Sequence, residues 1–133
     1  MTFNTKGLMT SIRQNWKTPK LLYEELNKEF SFDFDPCPVN PSFDGLSVEW
    51  KERNFVNPPY KTQKDWIMKA DQENRKGKLV VLLLPARTDT KVFHDYIYQK
   101  HEIRFLKGRL KFDDSKNSAP FPSMIVIMRG KKK

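Results

Sequence analysis

Leu79-Val80-Val81-Leu82-Leu83-Leu84 is an uninterrupted apolar run set between Gly77-Lys78 and Pro85. Successive side chains of an extended chain point to opposite sides, so a strand of this composition needs apolar cover on both faces. A run this short, rich in branched residues and closed by proline, reads as a central strand and not as a buried helix. It commits the chain to an α/β architecture, with helices on the faces of a sheet.

The flanking segments supply those layers. Thr18-Pro19 reads as an N-cap followed by proline at the first helical position, after which Leu22, Leu26 and Phe30 form one apolar stripe. Phe32 and Phe34 alternate with charge and predict a strand ending at Asp35, beyond which Pro36, Pro38 and Pro41 break regular structure. Residues 40–54 read as loop, anchored by Trp50. Residues 63–76 carry Trp66, Ile67 and Ala70 at helical spacing and stop at Gly77. A further amphipathic helix is predicted over 89–100 through Val92, Phe93, Tyr96 and Ile97. Ile103 to Leu106, Leu110 to Phe112 and Met124 to Met128 read as closing strands, with a polar turn from Asp113 to Ser118. The expected organisation is a flexible arm over 1–15, one domain over 16–130 and a basic tail over 131–133.

At 133 residues the chain has enough surface for one core. A net charge of +9 favours a polyanionic partner, nucleic acid being the natural one, although basic surfaces also serve solubility alone. No run approaches the roughly 18 apolar residues of a membrane span, and the N-terminus lacks the apolar core of a signal peptide. The expected location is therefore the cytoplasm, with no membrane partner. Cys37 is the sole cysteine, which excludes an internal disulfide and a cysteine-based zinc cage. His94 and His101 lie about two helical turns apart, a spacing that suits a helix surface, so no metal is expected.

The chemistry concentrates in Asn57-Pro58-Pro59-Tyr60, directly after the apolar pair Phe55-Val56. Each proline fixes its own φ and pushes its predecessor towards extended geometry, so the loop is stiff. A right-handed crossover places it at the carboxyl ends of parallel strands, where open α/β sheets bind ligands. The Asn57 carboxamide oxygen and the Pro58 carbonyl are two acceptors held close together, suited to an exocyclic amine such as adenine N6. With both of its hydrogens accepted, the amine nitrogen is freed from ring conjugation and can attack an electrophilic methyl group. Tyr60 can stack on the base. A proline-stiffened surface turn with a half-buried tyrosine would show the same tetrapeptide.

Taken with Asn15-Trp16-Lys17-Thr18-Pro19 and Asp33-Phe34-Asp35-Pro36-Cys37-Pro38, this loop resembles the S-adenosylmethionine-dependent amino-methyltransferases, in gamma-type motif order. More closely, the chain is similar to the small phage-type DNA N6-adenine methyltransferase (Dam) family. Leu84-Pro85-Ala86-Arg87-Thr88-Asp89-Thr90, Gly108-Arg109-Leu110-Lys111-Phe112 and Ala119-Pro120-Phe121-Pro122-Ser123 are similar to that family's late motifs. The resemblance spans roughly Trp16 to Arg129. It implies a minimal class I methyltransferase fold, a Rossmann-like sheet with an antiparallel C-terminal end, that transfers methyl groups from S-adenosylmethionine to adenine N6 in DNA.

On the cofactor side, Asp35 offers acceptors for the methionine ammonium or ribose, and Thr18 a hydroxyl for its carboxylate beside the helix start at Pro19. Asp35 can equally cap its own loop, and Thr18 its own helix. Trp16 packs either beside the cofactor or simply in the core, Pro36 belongs to the same cofactor-side motif, and Cys37 is expected to pack beside the cofactor; a Cys37 thiolate acting covalently is the remote alternative. The chain departs from the common methyltransferase pattern in having no Gly-x-Gly turn after Asp35. The acidic residue for the ribose is left between Asp44 and Glu49. Lys61, Arg87, Arg109 and Lys111 are expected along one edge of the sheet as DNA phosphate contacts, Arg87 having an ion pair with Asp89 as its alternative. N4-cytosine transfer and a non-catalytic DNA-binding module are the competing functions, and self-pairing into a homodimer is left open.

Overall fold

A computed structural model of the chain describes residues 17–39, 41–112 and 118–130. Trp16, the expected N-terminal arm, the basic tail and residues 113–117 lie outside these. The element order is α1 (Lys20–Phe30), β1 (Arg53–Val56), α2 (Gln63–Arg75), β2 (Leu79–Pro85), α3 (Lys91–Tyr96), β3 (Glu102–Phe105) and β4 (Ser123–Met128). The strands form one open sheet in the order β1-β2-β4-β3. β1 is parallel to β2, and β4 runs antiparallel between β2 and β3. The result is a mixed α/β fold with its antiparallel strand at the C-terminal end.

The apolar run of β2 is buried along its whole length and divides its side chains between two cores. Val80, Leu82 and Leu84 meet Trp66, Ile67 and Ala70 of α2 and Phe93 of α3. Leu79, Val81 and Leu83 meet Leu26 and Phe30 of α1, together with Phe112 and Ala119. The sheet is thus covered on both faces, as the composition of β2 requires. β3 is the exposed edge, tied to α1 by a bidentate pair from Arg104 to Glu29 at 2.7 and 2.8 Å.

Four expectations require correction. α1 begins at Lys20 with Pro19 in the N-cap position, so Thr18 does not cap it. Phe32 to Asp35 contributes only an isolated parallel bridge, Phe34 to Asn54, because the Asp35 carboxylate accepts the Cys37 N–H at 2.9 Å and turns the chain away. Leu110 to Phe112 is not a strand: Phe112 turns inward to the α1 core, and Leu110 offers its carbonyl to Ala119 N–H in a local loop contact. α3 stops at Tyr96, followed by turns with Gln99 at φ 62°, so His101 falls beyond the helix.

A buried charge cluster joins α2 to the chain before β1 and the start of β2. Glu73 has no exposed surface, and its carboxylate meets Lys78 Nζ at 2.5 Å and Lys69 Nζ at 3.0 Å. Lys78, itself buried, also donates to the Trp50 carbonyl at 2.6 Å. Trp50 is 2 % exposed and anchors its loop by donating from Nε1 to Gly45 O, as expected of it. Burial alone would raise the Glu73 carboxyl, but hydrogen bonds from Lys78 and Lys69 and their charges outweigh it and bring it down to about 2.

Removing one member of such a cluster strands the others. Glu73→Ala is expected to lower unfolding stability by about 3 kcal/mol in urea titrations at pH 7. Because the carboxyl's value falls on folding, its contribution is present above the ordinary value of 4.5 and is lost as pH drops towards about 2. The acid limb of the stability profile should therefore be shallower in the variant; equal slopes would show that Glu73 contributes nothing through its charge.

Candidate active site

β1 ends at Val56, opposite Leu82, while β2 continues to Pro85 beside β4. Pro58 and Pro59 carry no N–H and cannot extend the ladder, so the chain leaves the sheet here and Tyr60 leads through a turn into α2. Asn57 is 6 % exposed, and its Nδ2 donates to Thr18 Oγ1 at 3.0 Å. The hydroxyl placed by sequence at the helix cap is used instead to hold the head of this loop.

A cavity lies at each end of the loop. The first, about 320 Å³, is lined by Asn57 together with Thr18, Asp35 and Cys37, three of the residues expected on the cofactor side. Lys17, Lys20 and Tyr23 around the start of α1, and Phe55, Pro38 and Val39, complete its wall; sequence reasoning missed these. Lys20 and Tyr23 fall one helical turn apart and so share a face, a signal that was available. Pro19 and Pro36 do not line the cavity. Asp44 instead accepts Leu46 N–H and the Ser47 hydroxyl, while Glu49 pairs with Lys78, so neither candidate for the ribose contributes to it.

The second cavity, about 350 Å³, is lined by Tyr60, Lys61, Gln63, Pro85 and Arg87. Phe121 backs it, edge-on to Tyr60 at 4.9 Å between ring centroids and with the Arg87 guanidinium 5.6 Å over its own ring. The motif containing Phe121 was visible in the sequence, but the antiparallel strand that returns it to this edge was needed to give it a place. Arg109 and Lys111 are exposed on the segment that follows β3, which runs parallel to β1 and β2 and so ends at the same edge. They share that edge without lining the cavity.

The electrostatics distinguish the two ends. The cleft walls desolvate the Asp35 carboxylate and raise its value, against the lowering effect of the Cys37 N–H. Burial, then the Asp35 charge, pushes the Cys37 thiol up to about 12, so it stays protonated and is a poor nucleophile. Burial likewise raises the Tyr60 phenol, with Arg87 opposing, and keeps it a neutral ring. Among the described residues no cluster of histidine, cysteine or carboxylate side chains is placed to hold a metal ion. No helix among them is long and apolar enough to cross a membrane.

The family model for DNA N-6-adenine-methyltransferase (Dam) matches residues 5–133. The chain belongs to this family. Among curated proteins none matches it. The Dam match covers every segment that builds the two cavities, from Lys17 to Phe121.

Asp35 gives a stability prediction for this Dam-family protein. Its value rises on folding, so the ionised carboxylate destabilises the unliganded protein above the raised value, and the penalty disappears below the ordinary 3.8. Asp35→Asn keeps an oxygen for the Cys37 N–H and removes the charge. Its thermal midpoint should exceed wild type at pH 7, with the difference closing towards pH 4; a lower midpoint at pH 7 would show that the charge holds the loop together.

Proposed function

We propose that this chain is an S-adenosylmethionine-dependent methyltransferase acting on adenine N6 in DNA, with a minimal Rossmann-like fold of class I type. The observation that carries this reading is the position of the Asn57 to Tyr60 loop between two cavities of different chemistry. One presents a desolvated carboxylate and a hydroxyl, the other an aromatic pair flanked by cations. The family match supports the base and the reaction.

The first cavity fits the cofactor. Burial raises the Asp35 carboxyl against the Cys37 N–H, an environment that an ammonium group beside it would relieve. Thr18 would meet the carboxylate, and Tyr23 and Phe55 supply apolar wall. When bound, S-adenosylmethionine supplies a methyl group made electrophilic by its sulfonium.

The target base enters the second cavity from the opposite side of the loop. It must be single-stranded or flipped out of a duplex, at a cost of a few kcal/mol, which stacking on Tyr60 helps to offset. Asn57 Oδ1 and the Pro58 carbonyl accept the two amine hydrogens and aim the nitrogen lone pair at the methyl group. The amine attacks as a neutral nucleophile and its extra proton leaves to water, so no general base is required. Catalysis is then mostly proximity and orientation. Lys61 and Arg87 hold phosphates near the cavity, and Arg109 with Lys111 extends the basic edge.

Incubation with methyl-labelled S-adenosylmethionine and unmethylated DNA, followed by nucleoside analysis, tests the reading. Label is expected in N6-methyladenine, reduced about 100-fold or more in Asn57→Ala. Label in N4-methylcytosine would keep the mechanism and change the base, whereas DNA binding without transfer would identify a non-catalytic module. Lys61→Ala and Arg87→Ala should each lower the salt dependence of DNA binding by about one unit of slope. An unchanged slope in both would remove these residues from the DNA surface.

A further inference from the structure

We propose that Gln63 is a specificity-determining residue, its carboxamide donating to N7 of the target adenine. The inference deepens the reading above and rests on the target base entering the second cavity. The Asn57 oxygen and the Pro58 carbonyl accept the two hydrogens of an exocyclic amine, and cytosine carries such an amine as well as adenine. A pair of acceptors therefore reads the amine and not the base. The difference lies beside the amine. Adenine has a ring nitrogen on either side, N1 and N7, whereas cytosine matches N1 with its own N3 and has C5–H where adenine has N7. A donor on the N7 side gains a hydrogen bond from adenine and none from cytosine.

Of the side chains that line the second cavity, Gln63 has the chemistry for this. Pro85 has no donor. Tyr60 presents its ring, since its hydroxyl is buried. Lys61 and Arg87 donate, but each brings a full charge, which suits a phosphate, and the Arg87 guanidinium lies over the Phe121 ring. Glutamine amides pair with the N6/N7 edge of adenine in groove readout, where arginine and lysine pair with guanine. Here Asn57 and Pro58 take the amine hydrogens, which leaves N7 as the acceptor for Gln63 Nε2.

The loop itself sets the position of Gln63. It is the first residue of α2, and its backbone N–H donates to the Tyr60 carbonyl at 3.4 Å, a turn that keeps both residues on one wall. Trp66 and Ile67, buried in the following turn, hold the helix to the core. Gln63 also borders a narrow gap with Ile67, Leu84 and Phe93, which gives its stem an apolar wall. The residue is half-buried, and among the described residues its carboxamide has no hydrogen-bond partner. Neither end of the amide is committed within the protein, so the acceptor on the base turns the donating end towards itself.

7-Deazaadenine replaces N7 by C–H and keeps the amine and N1, so it isolates this contact. Methyl transfer from labelled S-adenosylmethionine is measured on short thymidine strands that carry one central adenine, 7-deazaadenine or cytosine. Wild type is expected to lose about tenfold in kcat/KM when N7 is replaced. Gln63→Met, of similar length and without a donor, should fall about tenfold on adenine and show no further loss on 7-deazaadenine. Its preference for adenine over cytosine should narrow by the same factor. Gln63→Glu, which offers N7 an acceptor in place of a donor, should fall below Gln63→Met on adenine. Equal wild-type rates on adenine and 7-deazaadenine overturn the proposal without recourse to any variant, and so does a loss on 7-deazaadenine that persists undiminished in Gln63→Met.

The same strands separate this contact from the reaction itself. With S-adenosylhomocysteine present, fluorescence anisotropy gives the affinity of each strand without turnover. Wild type should bind the adenine strand about tenfold more tightly than the 7-deazaadenine strand, and Gln63→Met should bind both alike. If wild type transfers no methyl group, the enzymatic reading fails by itself, and the anisotropy still decides whether Gln63 senses N7.

Discussion

The parallel pairing of β1 with β2 is the constraint from which the site follows. Parallel neighbours cannot be joined by a hairpin, so the chain must cross over through α2 and both strands must finish at the same edge of the sheet. They do not finish level. β1 stops at Val56, where prolines deny it further ladder bonds, while β2 runs on to Pro85. The step between the two ends is where Asn57 to Tyr60 stands clear of the sheet with a cavity at either end. β4, entering antiparallel at Ser123, brings Phe121 to the same edge and gives Tyr60 its aromatic neighbour.

The opposite end of these strands carries the polar groups that hold the crossover. Asn54, fully buried at the start of β1, donates to the carbonyls of Lys51 and Leu79 at 2.9 and 3.0 Å. Glu73, in the last turn of α2, pairs with Lys78 just beyond the helix, and Asn74 donates to the carbonyls of Lys78 and Arg129. Polar groups buried at this end have partners. At the other edge the Asp35 carboxylate is desolvated and accepts the Cys37 N–H.

Elements whose signal is carried by burial were legible. The apolar run at β2 and the periodic Trp66, Ile67 and Ala70 of α2 depend on one face meeting a core, and period alone reports that. The Asn57 loop was legible because proline constrains the backbone wherever it occurs. The misread segments depend on partners remote in sequence. Phe32 and Phe34 alternate like a strand, yet one residue pairs, since the Asp35 side chain captures the next available N–H. Leu110 to Phe112 has strand composition, yet Phe112 is claimed by the α1 core. Thr18 looked like a cap because Ser, Thr, Asp and Asn are read from local context, while the acceptor it provides serves a residue across the fold. The wall of the first cavity was hidden for the same reason: Tyr23 and Phe55 come from different layers and meet edge to face at 5.2 Å.

The missing glycine turn after Asp35 is resolved by transferring the glycine to the other side of the contact. A tight turn there does not require positive φ, because the Asp35 carboxylate accepts the Cys37 N–H and Pro36 fixes the intervening backbone. What does require a missing side chain is the approach of the returning loop. A Cβ at Gly45 would overlap the Pro36 carbonyl and lie 2.6 Å from the Trp66 ring. Gly45 O is also the acceptor for Trp50 Nε1, so the same residue admits Pro36 and anchors the loop. A glycine, a proline and a buried tryptophan thus fold the stretch between Asp35 and Asn57 back against α2 and leave Asp35 and Asn57 on one cavity.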